Sequence, residues 1–177
     1  MTKKLGLTHI YCGDGKGKTT AAMGIALRGV QNNFNVVIMQ FLKNGYSSEV
    51  LVLKTFPNVT VFANADLKGF TFTMNEHQTE YAKKVDAENF KQTVALCNTG
   101  KCDLLILDEA IGATNYGFLD HDVLVDFIKN RPQNMEVVMT GRNPSQTLID
   151  LADYVSEIKK IKHPYDKGIH ARTGIDK

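Results

Sequence analysis

The sequence has few cysteines, no long apolar run and almost no charge imbalance. The cysteines are Cys12, Cys97 and Cys102. Their number is odd and no CxxC pair occurs, which argues against a disulfide framework or a four-cysteine zinc site. A reducing, cytoplasmic home is the expectation. The 21 lysines and arginines against 19 acids leave +2. That is too little to make nucleic acid or an anionic membrane the main partner. No stretch approaches the ~18 apolar residues of a membrane span. The lysines at the N-terminus could mimic a signal peptide, but the apolar stretch Leu5–Cys12 is short, contains His9 and runs into a glycine-rich loop. Internal repeats, low-complexity segments and an obvious linker are also missing. The expectation is one nucleotide-binding domain over 1–177, with 43% hydrophobic residues to build its core.

What is there is an alternation of short apolar runs and longer helical patterns. Leu5–Cys12 reads as a strand and Lys18–Asn32 as a helix. Asn35–Leu42 and the weaker Val59–Phe62 are further strands. Asn75–Cys97 is a long amphipathic helix. Thr73 with Glu76 offers a capping signature at its start, and Gly100 is placed to end it. Asp103–Leu107 is too apolar to have a wet face, as in a central parallel strand. Asp120–Lys129 is helical and is broken at Arg131-Pro132. Glu136–Thr140 is a strand, Ser145–Ala152 a short helix and Tyr154–Ile161 a last strand. The alternation predicts an α/β fold, a mostly parallel sheet with helices on both faces; with the glycine-rich loop Gly13–Thr20 after its first strand, it is expected to be of the P-loop, RecA-like kind. Phe56–Met74 and Lys162–Lys177 are the irregular stretches, expected to serve a site.

The strongest chemical signal is GDGKGKTT, spanning Gly13, Asp14, Gly15, Lys16, Gly17, Lys18, Thr19 and Thr20. It follows an apolar strand and opens a helix, the context a phosphate loop requires. Glycines let backbone N–H groups converge on phosphate oxygens, and the helix N-terminus adds positive potential. Lys18 supplies a point charge, and Thr19 a hydroxyl for Mg²⁺ (or Mn²⁺). The general G-x-x-x-x-G-K-[ST] pattern wants glycine where this chain has Cys12, so the loop is a shortened variant. The motif points to the triphosphate of a nucleotide, ATP in the first place.

A second signal is LLILDEA, Leu104–Ala110. Ligands of parallel sheets bind at the carboxyl ends of strands, so Asp108 or Glu109 is placed to hold a metal on the phosphates. The competing reading is an acidic pair that caps the next helix. The third signal is Arg142 in TGR, at the end of another strand, where it could pair with phosphate or simply be solvated. Gln40, Lys43 and Glu49 fall in the loop after the second strand. Phe70 and Phe72 in GFTFT are core residues or the lining of a pocket for a flat ligand. His163 is a surface or a pocket histidine.

With these pieces in place, the chain resembles the P-loop ATP:corrinoid adenosyltransferases, also called cob(I)alamin adenosyltransferases. The resemblance runs from about Gly6 to Asp176. It rests on GDGKGKTTAAMGIALR, VVIMQFLKNG with Glu49, GFTF, LLILDEA, RP followed by VVMTGR, and LADYVSEIKKIKHPYDKGIHARTGID. The last stretch is the most specific.

The resemblance implies alkyl transfer. Co(I) of a corrinoid such as cobalamin attacks the 5′ carbon of ATP, and triphosphate leaves. The nucleophile belongs to the corrinoid, so no protein base is required. It implies that ATP lies reversed in the loop, with the γ-phosphate deep and the ribose facing the corrinoid. Thr19 and an acid after the fourth strand, Glu109 first, would hold the metal, and Arg28 is a further nucleotide contact. Phe70 and Phe72 match the family's aromatic pair beneath the corrinoid, a wedge that displaces the lower axial ligand. Four-coordinate Co(II) is then easier to reduce. A homodimer and a flavoprotein reductant are also implied, with no nucleic acid or membrane as partner.

Departures are visible. Asp14 stands where the family often has Asn, and Phe72 where Trp is frequent. Ile111–Leu119 diverges from a more hydrophobic run. An N-terminal extension that covers the corrinoid in some members has no counterpart, so an open site, or cover by a partner subunit, is expected. Two other readings of the bare P-loop are a small kinase of a nucleoside or other alcohol, which needs a base and a basic lid, and a non-catalytic nucleotide switch.

Overall fold

A computed structural model describes residues 5–67 and 74–176. Six strands form one parallel sheet: β1 (Thr8–Cys12), β2 (Val36–Gln40), β3 (Val59–Ala63), β4 (Leu104–Asp108), β5 (Glu136–Thr140) and β6 (Tyr154–Glu157). Their order is β3-β2-β4-β5-β1-β6, and every pairing is parallel. β2 and β4 are buried at every position, which explains their unbroken apolar runs. β6 is an edge strand and ends four residues earlier than the sequence pattern suggests.

Alternate residues of the strands feed two cores. On one face α1 (Lys18–Gln31) and α2 (Ser48–Leu53) cover Val36, Ile38, Leu104, Ile106 and Val138 through Ala22, Met23, Ala26, Val50 and Leu53. On the other face α3 (Glu76–Asn98), α4 (Ala110–Asn115), α5 (His121–Asn130) and α6 (Gln146–Leu151) pack on Val37, Met39, Leu105, Leu107, Val137 and Met139. The central strands thus have no wet face. No described helix is long and apolar enough to cross a membrane.

The structure corrects the start of α3. The capping box joins Asn75 to Gln78: the Asn75 side chain accepts from the Gln78 N–H, and the Gln78 side chain from the Asn75 N–H, both at 2.9 Å. Thr73 lies outside the described residues. The spacing is that of the motif in the sequence, moved two residues along, because Asn accepts at an N-cap as well as Thr does. α2 and α4 were not legible as helices. Each has six residues, too few to display a periodicity.

α3 buries an acid. Asp86 is 1% exposed; Oδ2 receives a long 3.5 Å contact from the Leu42 N–H, and Oδ1 has no partner among the described residues. Burial pushes its pKa up to about 7, against the weaker pull of that N–H. The folded-state pKa lies above the unfolded one. The stability due to the bound proton is therefore complete below about pH 4 and lost as the pH climbs to about 7. Asp86→Asn is expected to remove this slope. Between pH 5 and pH 8 the wild type should lose about 3 kcal/mol relative to the variant, at ~1.4 kcal/mol per pK unit. Urea midpoints of both proteins check it, and parallel pH profiles would contradict a buried neutral acid.

Candidate functional site

The carboxyl ends of β1, β2, β4 and β5 lie along one edge of the sheet, and the chemical residues converge there. Gly17 has φ 115° and precedes α1, so that the chain turns from the loop into the helix. The Lys18 side chain is buried in the loop's hollow and donates to the Gly15 carbonyl at 2.8 Å. Burial lowers its pKa, as does the Arg142 charge, while Glu109 opposes the change. Arg142 follows β5 and is exposed; its charge also helps to hold the Asp14 pKa down, after the larger effect of a backbone hydrogen bond from Lys160.

The loop is held from outside by the chain that leaves β6. The Ile158 N–H donates to the Cys12 carbonyl at 2.8 Å, and the Gly15 N–H to the Ile158 carbonyl at 2.7 Å. A Cβ on Gly13 or Gly15 would come within 2.4 or 2.7 Å of that carbonyl oxygen. The strap therefore demands glycine at both positions, in addition to any demand from a phosphate. Asp14 belongs to the same strap: its Oδ1 accepts from the Lys160 N–H at 2.9 Å. Its charge is thereby used to pin the loop. Lys16 also turns to the C-terminal segment, donating to the Ile175 carbonyl at 2.9 Å and pairing with Asp176 at 3.1 Å.

The centre of the site is Asp108, at the end of β4 and wholly buried. Its Oδ1 accepts from the hydroxyls of Thr19 at 2.9 Å and Thr140 at 2.8 Å. Its Oδ2 accepts from Gln40 Nε2 at 2.9 Å and Lys43 Nζ at 2.7 Å. Burial alone would raise the Asp108 pKa. The Lys43 charge and the hydrogen bonds from Lys43, Gln40 and Thr140 outweigh it and hold the carboxyl below the ordinary range. Burial likewise opposes the Lys43 charge, but the attraction of Asp108, its hydrogen bond and the acids Glu109 and Glu49 raise the lysine's pKa. Lys43 is thus a central residue of the cluster. In the sequence it carried no more signal than its neighbours, because nothing local ties it to Asp108, 65 residues away.

Glu109 is the next residue, in the left-handed conformation with φ 60°. Its N–H donates to Thr140 Oγ1 at 2.9 Å, and its carboxylate lies 4.0 Å from Lys43 Nζ. Adjacent residues would normally point apart from a strand end. The twist at Glu109 turns its carboxylate back to the same side as Asp108, at a conformational cost that is commonly met at functional positions. Thr20 makes only a long 3.4 Å contact with Glu49, in the first turn of α2.

Other sequence-named residues lie elsewhere. Arg28 is in the last turn of α1, about 15 Å along the helix axis from Lys18 at 1.5 Å per residue. It lines a depression with Leu5, Phe34, Leu104 and Glu136 at the opposite edge of the sheet. His163 Nδ1 accepts from the Tyr165 N–H at 3.2 Å and starts a 3-10 turn, Pro164–Lys167. Phe70 and Phe72 lie outside the described residues.

Thr19 Oγ1, Asp108 and Glu109 are hard oxygen donors, few in number and close to a phosphate loop. Mg²⁺ takes such a set, completing its shell with water and substrate phosphates. Around the loop the cations Lys18, Lys43 and Arg142 lie among the acids Asp14, Glu49, Asp108 and Glu109. A polyphosphate entering this balance needs a further cation.

The fold defines the class. Among solved structures the chain is similar to the cytoplasmic domain of EssC, with a TM-score of 0.55, 17% identity and 97% of this chain covered. It is also similar to EssC ATPases 2 and 3 from Geobacillus thermodenitrificans, with a TM-score of 0.53 and 16% identity. The chain spans about a third of those proteins, 34% and 35%, and the likeness is one of fold alone. It is an α/β fold with an all-parallel sheet. The family is narrower: residues 4–176 match the family described as ATP:corrinoid adenosyltransferase BtuR/CobO/CobP. The chain is 33% identical over 172 residues to the corrinoid adenosyltransferase CobA of Salmonella typhimurium, covering 97% of this chain and 85% of that protein. It is 32% identical over 178 residues to a corrinoid adenosyltransferase of Sinorhizobium, covering 99% and 82%. This protein belongs to the ATP:corrinoid adenosyltransferase family.

Proposed function

We propose that this protein transfers the 5′-deoxyadenosyl group of ATP to Co(I) of a corrinoid, cobalamin or a precursor, and releases triphosphate. The observation that supports it most is the family match over nearly the whole chain. The electron pair of Co(I) forms the cobalt–carbon bond. The C5′–O bond breaks, and its electron pair leaves with the triphosphate. The protein's tasks are then to hold carbon in line with cobalt and to stabilise the departing charge. In this reading 1–177 acts as one nucleotide-binding domain. Gly13–Thr20, with Lys18 foremost, takes the triphosphate, and Arg142 and Glu49 flank it. Thr19, Asp108 and Glu109 hold Mg²⁺, which supplies charge to the leaving group. Phe70 and Phe72 face the corrinoid's lower side. The protein works in the cytoplasm, as a homodimer, with a flavoprotein as reductant.

The test supplies Co(II) cobalamin, MgATP and a reductant. Light-sensitive adenosylcobalamin and free triphosphate are expected. Formation of ADP with a phosphorylated acceptor would overturn the reading. Phe70→Ala combined with Phe72→Ala is expected to slow the reaction from Co(II) at least tenfold more than the reaction from chemically prepared Co(I), because the wedge acts on reduction. That tenfold corresponds to about 1.4 kcal/mol. Equal losses in the two assays would remove the wedge.

A further inference from the structure

Lys43 and a divalent cation call for the same oxygens. The ammonium lies 2.9 Å from Thr19 Oγ1 and 2.7 Å from Asp108 Oδ2. A phosphate-loop hydroxyl and the acid that ends a neighbouring strand are the pair that commonly holds the metal in such folds. Magnesium binds its oxygens at about 2.0–2.1 Å, so a metal between Thr19 and Asp108 would meet the ammonium directly. Two cations cannot share the position.

The local structure suits displacement of one partner. Thr140 and Gln40 grip Asp108 from the ends of β5 and β2, fixed by the sheet. Lys43 instead stands on the short connection between β2 and α2, and its side chain is 30% exposed. Glu109 Oε1 is 4.0 Å away, toward the open side. A free metal would have to strip Lys43 from Asp108 and leave the ammonium the more distant acids Glu109 and Glu49. A metal carried by a polyphosphate brings new acceptor oxygens for it.

We propose that Lys43 is a tethered cation that guards the Thr19–Asp108 pair against free metal, and that it moves onto the triphosphate when the metal arrives with the nucleotide. The lysine thereby couples metal entry to nucleotide entry, and it adds a second ammonium beside Lys18 to the leaving group. The inference rests on the proposed function, since it takes Gly13–Thr20 as a triphosphate site.

Mn²⁺ is the probe, followed by the loss of its free-ion EPR signal with no nucleotide present. A guard that occupies the position nine-tenths of the time weakens apparent metal affinity about tenfold. Lys43→Met should therefore bind Mn²⁺ at least about tenfold more tightly than the wild type. Equal affinities would overturn the proposal. The wild type supplies a second measurement that needs no variant. A crystal structure with MgATP is expected to show Nζ on triphosphate oxygens and off Asp108. An ammonium still bonded to both Thr19 and Asp108 would overturn it. Failure of the wild type to make adenosylcobalamin from Co(I) counts against the proposed function, whereas the Mn²⁺ comparison judges the lysine alone.

Discussion

Lys18→Ala is expected to lower kcat/KM for adenosyl transfer by about 10²–10³-fold, the loss typical of removing one preorganised group that meets developing charge. Lys18 is 8% exposed and held on the Gly15 carbonyl. Its ammonium is thus in place before charge grows on the triphosphate, in surroundings where water screens it little. That charge grows as the C5′–O bond breaks, so the loss should fall on kcat as well as on ATP affinity. Arginine should not restore the rate. The hollow admits a compact ammonium, and a planar guanidinium is larger and differently forked. Steady-state rates with Co(I) cobalamin check this. Turnover within about twofold of wild type would discredit the loop as the triphosphate site.

The sequence was most informative where a residue's task is local. The glycine-rich loop that opens α1, the apolar strands β2, β4 and β5 and the long α3 all carry their signals within a few neighbours. The alternation of strand and helix was enough for a parallel sheet. What the sequence concealed depends on distant contacts. Asp14 looks like a charge beside phosphates, yet its carboxylate is engaged by Lys160, 146 residues on. Gly13 and Gly15 look like phosphate glycines, and they are also required by the Ile158 carbonyl. Arg28 looks close to the loop in sequence, but ten residues of helix carry it to the other edge of the sheet. Lys43 shows the opposite error: an ordinary loop lysine becomes the counter-ion of a buried aspartate once β2 and β4 pair. The sheet register puts Gln40 beside Asp108, and that single pairing gathers the cluster.

Asp108→Ala is expected to cost about 3 kcal/mol of stability, the lower end of the range for breaking a buried ion pair. Four donors lose an acceptor at once: Thr19, Thr140, Gln40 and Lys43. Gln40 is buried and keeps the longer bond to Ser47 Oγ at 3.2 Å, while Thr140 is fully buried and cannot turn to water. Lys43 is partly exposed and can, which keeps the loss from being larger. The pH dependence follows from the lowered pKa of Asp108. A group with a depressed folded-state pKa stabilises above its unfolded value, near 3.9, and loses that contribution as the pH falls toward the folded value. The gap between wild type and Asp108→Ala should therefore be full at pH 7 and narrow below about pH 4. Adding Lys43→Met should recover part of the loss, because the second change removes the ammonium left without its counter-ion. Urea unfolding of the three proteins measures all of this. A single-mutant loss under about 1 kcal/mol, or strictly additive effects in the double mutant, would mean that the pair is hydrated and that Asp108 does not organise the site.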